Sequence, residues 1–293
     1  MKIGVSIQSE GLRSDLSLDK RKRYLANFNE LSDYLDFIKA RGVSSIEIRI
    51  YEQQANFAHF QESIDLIWSK GFALTIHGDL TGALSGNEFD DLYPSLTPLL
   101  QKVKDFQSEI IIPIHAYQSL DLSSHILKSH TIDLFNKWIS IIKDENLPIY
   151  FALENNRMKE LNDPCNHLNG VTEIIDKINS PHLGICWDMG HYYSNIVHDL
   201  EKDVDYDNDI KNEFFNKVIH THIHGLNEKN TTHFPLTNEE SLPLEKYVAL
   251  LKDMGYEGVY NLELSFERWD TGHEIHYEVA RSIERLQQAI QDS

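Results

Sequence analysis

Three histidines alternate with other residues in His220-Thr221-His222-Ile223-His224, and on a β-strand that spacing puts all three imidazoles on one face. Other side chains able to hold a metal stand at the ends of other apolar runs: His77, His115, Glu154, Asp188, His191 and Glu263. If those runs are strands of one parallel barrel, their C-terminal ends meet at a single mouth. The expected result is a divalent-metal site with mixed carboxylate and imidazole ligands. Without thiolate, such a set suits Zn2+, Mn2+, Co2+ or Mg2+, and the residues do not choose among these. The ion could polarise a carbonyl and hydroxyl pair on a sugar, or activate water against a phosphodiester.

Taken singly, each residue has a plainer explanation. His77 or His115 alone could be a hydrogen-bonded core or loop histidine, and Glu154 or Glu263 an exposed carboxylate at a strand end. Glu47 and Arg49, two apart in another run, either close the mouth as a same-face ion pair or contact substrate. What favours a metal is the succession His, His, Glu, Asp with His, His and Glu at six successive strand ends, since unpaired charge is costly to bury in a packed barrel. Within the histidine triplet the middle residue is the best ligand candidate. His220 lies deeper and supports from below, whereas His224 is nearer the rim and within reach of substrate.

The elements that must position these groups are eight apolar runs: Lys2–Gln8, Ser45–Ile50, Ala73–His77, Ile110–His115, Ile149–Glu154, Leu183–Asp188, Val218–His224 and Val259–Leu264. Several are nearly continuous in Ile, Val and Leu, as in strands covered on both faces. The segments between them have helical periodicity. LANFNELSDYLDFIKARG places Leu25, Phe28, Leu31, Leu35 and Ile38 on one stripe and stops at Gly42. FNKWISIIKDENLP, VTEIIDKINSP and LEKYVALLKDMGYEG behave likewise. Eight β-then-α units predict an α/β chain folded as a single (β/α)8 TIM-barrel domain over residues 1–293. An open doubly wound sheet is disfavoured, because Gly82-Ala-Leu-Ser-Gly86 lacks the Lys-Ser/Thr of a phosphate loop and does not directly follow a strand.

Composition narrows the function further. The net charge of −19 repels phosphate polymers and anionic membranes, so nucleic acid and membrane are not expected partners. The short basic run Lys20-Arg21-Lys22-Arg23 reads as the solvated face of the first helix, and Glu201–Glu213 as an exposed acidic loop entering a helix. Two cysteines, Cys165 and Cys186, make no disulfide framework, and Cys186 sits inside an apolar strand as a small core residue. The chain opens directly on a strand, with no signal segment and no stretch long enough to cross a membrane, so a cytoplasmic protein is expected. Thirteen Tyr and thirteen Phe, read as largely exposed, would allow a homo-oligomer interface without locating it.

Five segments resemble the xylose isomerase-like barrel superfamily: ALENN (Ala152–Asn156), GICWDMGHYYSN (Gly184–Asn195), HTHIHGLN (His220–Asn227), HFPL (His233–Leu236) and YEGVYNLELS (Tyr256–Ser265). The resemblance spans essentially the whole chain. That superfamily includes sugar and sugar-phosphate isomerases and epimerases and the endonuclease IV-type apurinic endonucleases. Carried over by position, the resemblance implies that Glu154, Asp188, His222 and Glu263 form the metal set of the sugar epimerases. It implies a substrate-contacting or metal-binding role for His191. His77, His115 and His233 match the extra histidines through which the endonucleases hold further zinc ions. The endonuclease pattern also wants an aspartate where Thr231 stands, and the Gly-x-Gly usual after HFPL is replaced by Thr237–Ser241 (TNEES).

The expectation is therefore a metal-dependent isomerase or epimerase of a small sugar, sugar phosphate or polyol derivative. Glu154 and Glu263 would be catalytic, moving a proton through an enediolate. His191, His224, Arg49 and Glu47 would contact substrate, and His77, His115, His191 and His233 are candidate additional metal ligands. The alternatives are a metal-dependent phosphodiesterase at abasic DNA sites, and a non-catalytic metal- or sugar-binding barrel.

Overall fold

The computed structural model describes residues 2–49, 57–78, 109–117, 121–157, 162–198, 212–236, 242–269 and 274–293. Ile50, Asp79, the Gly82–Gly86 segment, most of the acidic run after Glu201, and Thr237–Ser241 lie outside the described residues.

The chain order is β1 (Lys2–Ile7), α1 (Ser9–Leu12), α2 (Leu18–Lys22), α3 (Leu31–Lys39), β2 (Val43–Arg49), α4 (Gln61–Ser69), β3 (Ala73–His77), β4 (Ile110–His115), α5 (Ser124–Asp144), β5 (Ile149–Glu154), α6 (Leu168–Ile178), β6 (Leu183–Asp188), α7 (Met189–His198), α8 (Asn212–Phe215), β7 (Val218–Ile223), α9 (Leu244–Asp253), β8 (Val259–Leu262) and α10 (Ile275–Asp292). The strands form one sheet in the order β3-β2-β1-β8-β7-β6-β5-β4, and neighbouring strands in it run parallel. A bridge between Gly78 and Ile114, with the Gly78 N–H donating to Pro113 O at 2.8 Å, joins the two ends and closes the barrel. A Cβ at residue 78 would sit 3.0 Å from Ile114 Cδ1, so glycine suits this seam.

Alternation sorts the side chains into two layers. In β2, Ile46 and Ile48 face the helices and are fully buried, while Ser45, Glu47 and Arg49 share the inward face. The same parity turns Phe151 and Leu153 of β5, Ile185 and Trp187 of β6, and Tyr260 and Leu262 of β8 into the apolar layer. Helices meet that layer through single stripes. In α6 the buried positions are Leu168, Val171, Ile174 and Ile175, each worth roughly 1.5–3 kcal/mol of burial. The helix ends where Asn179 takes a left-handed φ of 45° and its N–H caps Ile175 O at 2.8 Å.

Four strands (β3 to β6) have the bounds read from the sequence. Three others end earlier at the mouth, β1 at Ile7, β7 at Ile223 and β8 at Leu262, while β2 begins at Val43 rather than Ser45 and is described to Arg49. Beyond Ile223 the backbone turns to an antiparallel bridge between Gly225 and Phe234. The helix expected from Leu25 is interrupted. Ala26 and Asn27 take φ of 50° and 72°, so Leu25 belongs to a preceding turn and α3 starts only at Leu31. The basic run falls in the short α2 and the turn after it, with no buried residue in α2. Cys165 and Cys186 are buried and unpaired. The aromatics expected at the surface are mostly inside: among the described residues Tyr277 is the one aromatic with a large exposed ring, beside Leu18, Ile126 and Val197. No helix of the described residues is long and apolar enough to cross a membrane.

Candidate metal centre

The barrel interior carries charge from the floor upward. Glu47 is fully buried. Its Oε1 accepts from Ser6 Oγ at 2.8 Å, and its Oε2 accepts from His220 Nε2 at 2.9 Å and His222 Nε2 at 3.1 Å. Asn261 Nδ2 donates in turn to Ser6 Oγ at 2.9 Å, and a Cβ on Gly4 would lie 2.5 Å from Asn261 Oδ1. Burial opposes ionisation of Glu47, but the imidazoles of His222 and His220 outweigh it and hold the carboxyl well below the usual range. By accepting at Nε2, Glu47 fixes the His222 ring so that Nδ1 faces the mouth, where a cation taking the place of its proton would find a lone pair.

Around His222 Nδ1 stand Glu154 Oε1 at 3.1 Å, Glu263 Oε2 at 3.4 Å and Asp188 Oδ2 at 3.9 Å. One donor atom from each of these four residues lies within 4.8 Å of the others, and all four residues are buried. Glu154 Oε1, Glu263 Oε2, Asp188 Oδ2 and His222 Nδ1 accept or make no hydrogen bond of ordinary geometry and face one another across the cluster. Three carboxylates crowded together in a dry interior repel one another and are stable only with a compensating cation. The donor set therefore fits a divalent ion, and it does so with oxygen and imidazole ligands only.

The remaining atom of each residue is engaged outside the cluster. Glu154 Oε2 faces His77 Nε2 at 3.4 Å and His115 Nε2 at 3.6 Å. Asp188 Oδ1 accepts the His191 backbone N–H at 2.6 Å, at the start of α7. Glu263 Oε1 is paired with Arg49 Nη2 at 2.7 Å. Burial raises the pKa of Glu154 and Glu263, but facing imidazoles, and for Glu263 first of all Arg49, hold both well below the ordinary value. Burial likewise disfavours an imidazolium at His222, yet the carboxylates of Glu47, Glu154 and Glu263 push its pKa well up.

Local sequence explains the positioning. Asn155, next after β5, makes a two-way bond with the Asp188 backbone: Nδ2 donates to its O at 2.9 Å and Oδ1 accepts its N–H at 2.8 Å. This continues the β5–β6 ladder by one rung and fixes Asp188. Gly190 clears the space for His224, whose Cε1 would lie 2.0 Å from a Cβ there. His224 is fully buried, with Nε2 3.2 Å from Asp188 Oδ1 and Nδ1 accepting the His233 N–H at 3.0 Å.

Two arginines occupy lone pairs of the outer histidines. A guanidinium can only donate. Arg49 Nη2 therefore donates to His77 Nε2 at 3.2 Å, consistent with His77 Nδ1 donating to Gly78 O at 2.8 Å. Arg268 Nη1 donates to His233 Nδ1 at 3.0 Å, so His233 turns a protonated Nε2 toward Glu263 Oε2, 3.4 Å away. Donor atoms of His191, His224 and His233 also lie within 4.8 Å of one another. Burial drives His115 down to about 4 and His233 well below its ordinary value, whereas Asp188 and Glu154 outweigh burial at His191 and raise it.

The sequence pattern of the xylose isomerase-like TIM barrel matches residues 104–289. The chain belongs to that family. Among solved structures, a D-tagatose 3-epimerase-like protein shares the fold with a TM-score of 0.64 at 17% identity, covering 100% of this chain and 99% of that one. A xylose isomerase-like TIM barrel protein from Mycobacterium smegmatis, in complex with magnesium, gives 0.63 at 12% identity over 99% and 97% of the two chains. An uncharacterized protein of Methanocaldococcus jannaschii, MJ1188, is 40% identical over 87 residues, which span 27% of this chain and 31% of the relative.

In this family member the predicted residues all come to one mouth, at different levels. Glu154, Asp188, His222 and Glu263 converge, and His77, His115, His191 and His233 ring them. Arg49 pairs with Glu263 rather than with Glu47. Glu47, expected to touch substrate, lies beneath His222, where a ligand at the mouth meets the imidazole first. His224, expected near the rim, is buried behind Asp188. The sequence reading missed Asn155, Gly190, Arg157 and Arg268. Asn155 and Gly190 stand inside the ALENN and GICWDMGHYYSN segments; the two arginines stand alone outside strands and long helices and carry no spacing signal.

Proposed function

We propose that this protein is a divalent-metal-dependent isomerase or epimerase of a small sugar, sugar phosphate or related polyol. The observation that carries the reading is the buried quartet Glu154, Asp188, His222 and Glu263, with one donor atom from each gathered within 4.8 Å of the others. A bound divalent cation, of the kind present in the magnesium complex of the Mycobacterium smegmatis relative, would supply Lewis acidity toward adjacent oxygens of an open-chain sugar. Glu154 and Glu263 stand on opposite sides of the quartet, β5 and β8 being separated by β6 and β7. Their depressed pKa values leave each ionised and able to act as a base at neutral pH. One would remove a proton from the carbon beside the carbonyl, giving an enediolate, and the other, after taking a proton from solvent or a substrate hydroxyl, would deliver it to the opposite face. Arg49 holds Glu263 in register, and His191 presents a ring at the mouth for a substrate hydroxyl.

A phosphodiesterase acting at abasic DNA is the second reading, favoured by the ring of extra histidines. Against it stand the guanidiniums on His77 and His233, Thr231 at the position of an aspartate ligand, and the charge of −19. The deciding experiment incubates metal-loaded protein with a panel of ketoses and ketose phosphates in deuterated water and reads deuterium incorporation by NMR. Wild type is expected to exchange a carbon-bound proton, and Glu154→Gln and Glu263→Gln to remain folded without exchange. Exchange that persists in both variants, or nicking of abasic duplex in place of sugar exchange, overturns the reading.

A further inference from the structure

Two arginines that take no part in the quartet converge on adjacent residues of the segment after β7. Arg157 follows Asn156 at the end of β5 and is half-buried; Arg268 ends the turn Phe266–Arg268 after β8 and is exposed. Arg157 Nη1 donates to Thr232 Oγ1 at 3.2 Å, and Arg268 Nη1 donates to His233 Nδ1 at 3.0 Å. Those two acceptors are themselves 2.9 Å apart. Like charges so placed repel, and burial together with Arg268 lowers the Arg157 pKa from its ordinary value. Among the described residues no carboxylate lies within ion-pair distance of Arg157; the nearest counter-field is that of Asp188, inside the quartet. The half-buried Arg157 is thus held beside a second cation, with no carboxylate at ion-pair distance from it among the described residues.

The position gives this a meaning. His233 carries Arg268 on one ring nitrogen and faces Glu263 with the other, so Arg268 lies one imidazole away from the proposed proton-transfer carboxylate, and Arg157 reaches the same ring through Thr232. A chain of net charge −19, with three carboxylates at its centre, repels an acidic substrate unless local cations reverse the field. Guanidinium forks match the oxygens of phosphate and carboxylate. We propose that Arg157 and Arg268 form the anion-binding end of the substrate pocket, taking the phosphate or carboxylate of an acidic small sugar whose reacting carbons lie at the quartet. What the anion is attached to rests on the sugar reading above; binding of an anion by the pair does not.

The test titrates inorganic phosphate, and separately succinate, into magnesium-loaded protein by calorimetry. The proteins compared are wild type, Arg157→Met, Arg157→Lys, Arg268→Met and, as a surface control, Lys229→Met. Metal content and thermal unfolding are measured for each, so that loss of metal or fold is not mistaken for loss of the site. Wild type and the control are expected to bind alike. Each methionine variant should weaken binding at least about tenfold, the effect of one charge-assisted hydrogen bond, with the lysine variant between. Tighter phosphate than succinate assigns a sugar phosphate, and the reverse a sugar acid. Equal affinity across all proteins, or no binding by wild type, overturns the assignment and leaves the isomerase reading standing. Binding that behaves as expected in a protein that exchanges no sugar proton would instead remove the isomerase reading and keep the anion site.

Discussion

Glu47 Oε2 lies 3.1 Å from His222 Nε2, on the side of the imidazole away from Glu154, Asp188 and Glu263. One buried carboxylate thus fixes the orientation of the single imidazole in the quartet, and it reaches across the barrel from β2 to β7 to do so. The same oxygen receives His220, so two of the three histidines that mark the sequence serve one acceptor.

Removal of that acceptor should be felt by the metal before it is felt by the fold. Glu47→Ala leaves His222 free to rotate and to change tautomer, and support of this kind is worth about 10–100-fold in metal affinity. Glu47→Gln retains an acceptor oxygen and should lose less. Competition against a chromophoric chelator measures both; an alanine variant that holds its ion as tightly as wild type removes Glu47 from the metal site's support.

Gly190 makes a different prediction, because its reason is space. A methyl group there would lie 2.0 Å from His224 Cε1 and 2.2 Å from Nδ1. The ring is fully buried and flanked by Asp188 and His233, so it has no free direction in which to retreat. Gly190→Ala should cost about 1–3 kcal/mol of stability, the range for overpacking, and weaken metal binding by shifting Asp188. Urea unfolding and the same chelator competition check the two parts. A stable variant with unchanged affinity would falsify the packing argument.

Much of this arrangement is legible in the sequence because parallel strands buried on both faces leave near-continuous apolar runs. The polar residues ending those runs had to lie at one rim. Ile149–Glu154 and Leu183–Asp188 show this most clearly, each closing on a carboxylate. The level of each residue within the barrel was not legible. Glu47 and Arg49 share a face, but only the stagger of the strands puts one beneath His222 and the other against Glu263. The break before α3 was missed because Leu25 and Phe28 fit the helical stripe, while the left-handed turn at Ala26 and Asn27 leaves no glycine signal. Arg157 and Arg268 come from loops whose approach depends on how the segment after β7 folds back.

His115 should give the metal-free protein a pH-dependent stability. Burial lowers its pKa from 6.5 to about 4, so between those values the unfolded chain binds a proton that the folded chain refuses. Stability is therefore greatest above pH 6.5 and falls as the pH is lowered toward 4, by on the order of 3 kcal/mol at most from this residue. Chelator-treated wild type and His115→Asn, unfolded in urea at pH 7 and pH 4.5, should differ by an amount that changes between the two pH values. A difference independent of pH shows that His115 does not resist protonation in the fold.

The count of bound ions separates the two enzyme readings, and the arginines set the expectation. Arg49 occupies the His77 lone pair that an ion held with His115 and Glu154 Oε2 would need. Arg268 fixes His233 with a protonated Nε2, which cannot ligate. Both outer positions are thereby supplied with positive charge by the chain itself, and among the described residues the quartet keeps one donor atom of each member facing the others. Elemental analysis of protein purified without chelator should find one divalent ion per chain. Arg49→Met frees His77 and removes a charge beside Glu263, so a second ion should enter and the stoichiometry rise toward two. Three ions in wild type would mean that both guanidiniums yield to metal, and the balance would then pass to phosphodiester chemistry.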